Sequence, residues 1–72
     1  MSKSNATEAF LSKCFKDGMT VTISPMFGEK YNIKNHTYKF TEEVLTEMLS
    51  TGRCKIRHRD DKRVMIEGIV GE

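Results

Sequence analysis

The sequence predicts a small α+β domain in the order α-β-β-β-α-β-β, a bent antiparallel sheet covered by helix. The sheet is short enough to curl into a small open barrel. Three observations lead there. Residues 41–52 carry a complete helix signal, with a cap, an apolar stripe and a glycine stop. Runs rich in β-branched and aromatic residues lie on both sides of it. And 72 residues leave room for a single domain spanning 1–72, with a polar, frayed start at 1–4.

Taking the elements in order, Asn5 and Glu8 have the form of a capping box for a first helix over 6–16. Phe10, Leu11, Cys14 and Phe15 form its apolar face, and Asp17-Gly18 ends it. Residues 19–24 alternate with period two and read as a half-buried strand. The loop 25–29 follows. Residues 30–34 and 37–40 then form a hairpin around Asn35-His36, pairing Ile33 with Tyr38 and Tyr31 with Phe40. Setting Val21 against Ile33 and Ile23 against Tyr31 extends the apolar face across a three-strand meander.

In the second helix Thr41 caps the first turn, and Glu42 and Glu43 lie at the positive end of its dipole. Val44, Leu45, Met48 and Leu49 share one stripe, and Gly52 supplies the left-handed stop. A second hairpin follows from 53–59 and 62–67. A three-residue loop at 59–61 pairs Ile56 with Val64 and Cys54 with Ile66, which buries all four. A two-residue turn would oppose Ile56 to Met65 and send Val64 and Ile66 outward with Lys55 and Arg57. Burial selects the longer loop.

The arrangement of charge says more than its total of +2. Every arginine, Arg53, Arg57, Arg59 and Arg63, falls within 53–63, together with Lys55 and Lys62. Against those six cations stand only Asp60 and Asp61, so this stretch is +4 and the rest of the chain −2. In the longer-loop register Lys55, Arg57 and Arg63 share the outward face with Met65 and Glu67, and Arg57 and Arg63 are cross-strand neighbours. Facing like charges cost stability. An arginine fork suits carboxylates and phosphates, so the patch fits an anionic partner. The plainer reading is a solvated edge that repels other strands. A second candidate contact is the loop tip at Met26 and Phe27, either tucked under a helix or exposed as an anchor. With six aromatics in the chain, tucking is favoured.

No motif names a reaction. Cys14 and Cys54 are too few for a disulfide framework and read as small apolar residues of a reducing compartment. Cys54 and His58 sit four apart, but on a strand that spacing is ~13 Å, too far to share a metal ion. There is no glycine-rich phosphate loop and no nucleophile elbow. No segment is apolar over a bilayer's thickness, and the start lacks a signal-peptide core.

The expectation is therefore a non-catalytic, cytoplasmic regulatory module without cofactor, metal or small-molecule substrate. It docks on an anionic protein surface of a larger machine, such as the transcription machinery, in the manner of a small phage-type modulator of a host complex. Lys55, Arg57, Arg59, Arg63, Met65, Met26 and Phe27 form the contact. The alternative is a nucleic-acid-binding protein that sets the same hairpin on phosphates. The lack of any aromatic residue after position 53 disfavours single-strand stacking.

Overall fold

A computed structural model describes residues 5–70 and shows an α+β domain. The expected fraying at 1–4 lies outside the described residues. The first helix, α1 (Asn5–Lys13), buries Thr7, Ala9, Phe10 and Leu11. Asn5 is itself helical, so it is not the cap the sequence suggested. The helix also stops three residues earlier than expected. Phe15–Lys16 is a short strand, β1, paired with β2 (Met19–Thr20) around Asp17 and Gly18. Both turn residues have positive φ, 54° and 76°, so Asp-Gly here makes a two-residue hairpin turn rather than a helix stop.

Val21 divides the expected strand at 19–24. Its N–H donates to the Cys14 carbonyl, and its own carbonyl accepts from Gly68. Beyond it, β3 (Thr22–Ile23) leaves the first half of the chain and pairs with β7 (Val64–Gly68), Ile23 opposite Ile66. The expected meander therefore does not form: Val21 and Ile23 do not face Ile33 and Tyr31. The reason is a longer ladder in one register. The Pro25 carbonyl accepts from Val64, Met26 bridges Arg63, and Phe27 N–H donates to the Lys62 carbonyl. Pro25 has no N–H to give, so the ladder thins there without changing register.

The next hairpin, β4 (Lys30–Ile33) with β5 (His36–Lys39), is separate. Its turn is Lys34-Asn35, both at positive φ, and it pairs Tyr31 with Tyr38 and Ile33 with His36. That is two residues from the expected register, a slip that leaves each side chain on its expected face. The second helix, α2 (Glu42–Ser50), matches its sequence signal. Thr41 accepts from the Val44 N–H at 3.2 Å, Val44, Leu45 and Met48 are buried, and Gly52 is left-handed. Helix α2 packs on α1, and Thr7 Oγ1 donates to Glu47. Glu47 is thus half-buried.

The last strands complete a three-stranded sheet in the order β3-β7-β6, where β6 is Cys54–Arg59. Its inner face joins α1, α2 and the β4–β5 hairpin in one core. Phe10 lies edge-on to Tyr31 and Phe40, with centroids 5.4 and 4.9 Å away, and Phe27 sits 5.2 Å from Phe40. Gly68 lies where Cys14 crosses the sheet, and a Cβ there would come within 2.5 Å of the Cys14 carbonyl oxygen. Among the described residues no helix is long and apolar enough to cross a membrane.

Candidate basic docking surface

The β6–β7 hairpin differs from both expected registers. Cys54 faces Gly68, Lys55 faces Glu67 and Ile56 faces Ile66, and then the strand bulges. Arg57 and His58 stand together opposite Met65, and Arg59 opposes Val64. The loop is 60–63, closed by a 2.7 Å bond from Asp60 N–H to the Arg63 carbonyl. Val64 and Ile66 are fully buried as expected, because they are the inward residues of the central strand. Ile56 is not: on the edge strand, with no strand on its far side among the described residues, it keeps 36% of its surface in solvent.

The bulge also separates the two arginines expected to face each other. Arg63 belongs to the loop and the opposite edge of β7, where its Nη1 donates to the Ser24 carbonyl at 3.2 Å. Arg57 instead reaches diagonally to Glu67, 2.9 Å away, which lies opposite Lys55. The like-charge cost inferred from the sequence is therefore absent. A cation–anion row takes its place on the outward face.

The structure brings the two candidate contacts together. Because the arm 21–27 runs along β7, Met26 and Phe27 arrive beside the tip of the basic hairpin. Phe27 is half-buried and packed on the core, as expected, and Met26 is half-buried. The Met26 N–H donates to the Tyr31 hydroxyl at 2.7 Å. Arg59 covers the outer side of Phe27, with its guanidinium carbon 5.1 Å from the ring centroid, and its Nη2 bonds Glu42 at the start of α2. At the other end of β6, Arg53 lies 4.9 Å from the Phe15 ring. Met65 is 39% exposed on the outward face, in line with Arg57 and His58. His58 pairs with Asp60 across 3.1 Å.

Sequence reasoning missed the partners rather than the cations. Glu42, Glu67, Phe15 and the Ser24 carbonyl hold the four guanidinium groups, and no local spacing signals those long-range contacts. Glu67 is the exception: the sequence places it on the outward face beside Lys55 and Arg57, and the structure finds it there.

The two cysteines are buried. Burial, with the Cys54 thiol close by, pushes the Cys14 thiol up to about 12, and burial raises Cys54 too. Both are free thiols, and at neutral pH they stay protonated and poorly nucleophilic. Among the described residues no three His, Cys, Asp or Glu side chains gather as a metal-binding group.

No protein-family model, curated protein or solved structure matches this chain.

Proposed function

We propose that this chain is a non-catalytic interaction module of the cytoplasm that docks on an acidic protein surface of a larger complex. The observation that carries the reading is the fixed setting of its cations. Arg57, Arg59 and Arg63 are each tied to a partner within the fold, and exposed Met65 and half-buried Met26 lie among them. Held arginines beside methionine and aromatic surface resemble the composition of protein interfaces, where ordering entropy is already lost before binding. Lys55 and Lys62 add exposed charge at the two ends of the hairpin. A regulator of the transcription machinery, phage-type or cellular, is the kind of protein this description fits.

Nucleic-acid binding is the second reading, favoured by the +4 charge of 53–63. It is the weaker of the two. No aromatic ring in β6 or β7 offers a stacking platform for bases.

The test is affinity capture from lysate with and without nuclease, using wild type and a Lys55→Glu, Arg63→Glu, Met65→Ala variant. Protein docking predicts capture that survives nuclease and disappears in the variant. Capture that nuclease abolishes supports phosphate binding instead, and equal capture by the variant removes the hairpin from consideration.

A further inference from the structure

We infer that the free edge of β6 takes an extended acidic segment of the partner protein as an additional strand. This rests on the reading of the hairpin as a docking surface, and goes further by naming the backbone as the anchor. In the sheet order β3-β7-β6, β6 has a strand on one side only among the described residues. The Ile69 N–H bonds the Arg53 carbonyl and the Asp60 N–H bonds the Arg63 carbonyl. Antiparallel alternation from those two bonds turns the N–H and C=O of Ile56 and Arg59 away from β7, toward the open edge. Such groups are a template for strand addition.

The side chains along that edge select the occupant. β6 has no acidic residue of its own: Lys55 is exposed, and Arg57, His58 and Arg59, though paired with Glu67, Asp60 and Glu42, keep about half of their side-chain surface in solvent, with Ile56 exposed in their midst. A second copy of the chain is disfavoured, because antiparallel pairing of β6 with itself at Ile56 sets Lys55 against Arg57 twice over. An edge built only for protection has no use for an exposed isoleucine. The complementary strand has an apolar residue opposite Ile56 flanked by carboxylates opposite Lys55 and Arg57, an alternating acidic–apolar–acidic pattern.

The probe is a capped seven-residue peptide alternating glutamate and valine, titrated into the full-length ¹⁵N-labelled protein. A peptide with lysine in place of glutamate is the control. Amide exchange at Ile56 and Arg59 should slow by about tenfold or more at saturation, with no change for the lysine peptide. Ile56→Pro removes the outward N–H together with the isoleucine side chain, so Ile56→Ala is measured beside it: the proline variant should abolish binding, the alanine variant should only weaken it, and the cross-strand NOEs between β6 and β7 should persist in both. Should the proline variant fail to fold, the wild-type exchange data decide alone. Binding with unchanged exchange at Ile56, or undiminished binding by the proline variant, overturns strand addition yet leaves the cationic docking surface standing. Equal protection by the lysine peptide, or no binding of the acidic peptide at millimolar concentration, overturns the assignment of an acidic strand. The docking reading itself is judged separately, by the capture experiment.

Discussion

Arg59 lies across the outer side of the Phe27 ring, whose inner side meets Phe40 in the core. This contact joins the row of packed aromatics, Tyr31, Phe10, Phe40 and Phe27, to the cationic hairpin. The interaction is electrostatic as well as apolar, because a guanidinium is drawn to the negative face of the ring. A double-mutant cycle on Arg59→Ala and Phe27→Leu should give a coupling of about 0.5–1 kcal/mol by urea unfolding. Additive effects would mean that the two groups are adjacent without attracting.

Leu45 is 2% exposed at the centre of α2, facing the core. Leu45→Ala should cost about 2–4 kcal/mol, a large part of what so small a domain possesses. A melting temperature within a degree or two of wild type would contradict the packing of α2 described above.

Gly68 and Gly28 should respond differently to alanine. At Gly68 the new Cβ meets the Cys14 carbonyl at 2.5 Å, backbone against backbone, and the strand or the end of α1 must shift. The expected cost is about 1–3 kcal/mol with displaced resonances at both Cys14 and Cys54. At Gly28 nothing lies within 4 Å, but φ is +87°. The expected cost there is about 1 kcal/mol, from the backbone alone, with resonance changes confined to its loop.

Alkali should weaken the fold through the thiols. The unfolded chain releases the Cys14 proton near 9.0, while the folded chain holds it until about 12. Above 9.0 the unfolded state binds fewer protons than the native one, so stability falls as pH rises across that window. The slope reaches ~1.4 kcal/mol per pH unit for one such group. Cys54, also raised by burial, acts in the same direction. Urea midpoints between pH 8 and 11, under reductant, should decline less steeply for Cys14→Ala than for wild type. Parallel curves would remove the thiol as the cause.

The elements legible in the sequence were those set by neighbours a few residues apart. Thr41, the Val44–Leu45–Met48 stripe and Gly52 define α2 with no help from the rest of the chain. The β4–β5 hairpin was legible in its faces but not its turn, because Lys34 gives no hint that it adopts positive φ. Asp17-Gly18 is a strong turn signal that was assigned to the end of a helix, since Cys14 and Phe15 continue the helical stripe by chance. The partner of β3 could not be read locally. A short loop to β4 made a meander reasonable, whereas β7, more than forty positions away, offers seven consecutive facing positions in one register. The candidate surface shared that fate. Its cations are visible as a cluster, but the bulge at Arg57 and His58, which decides their neighbours, has no glycine to announce it.

The central place of β7 has a consequence for how the protein comes into being. Strands β3 and β6 pair with β7 and not with each other, and β7 is the last of the described elements to be made. A ribosome that has released everything up to Arg59 has therefore produced two helices and two local hairpins but no means of joining β3 to β6. During that interval the arm 21–27 and the cationic strand both lack their neighbour. Folding of the sheet is thus a single late event that closes a long loop, slow relative to its local parts. A nascent chain arrested before Val64 is expected to be sensitive to protease along its whole first half, and one extended past Gly68 to become resistant in one step.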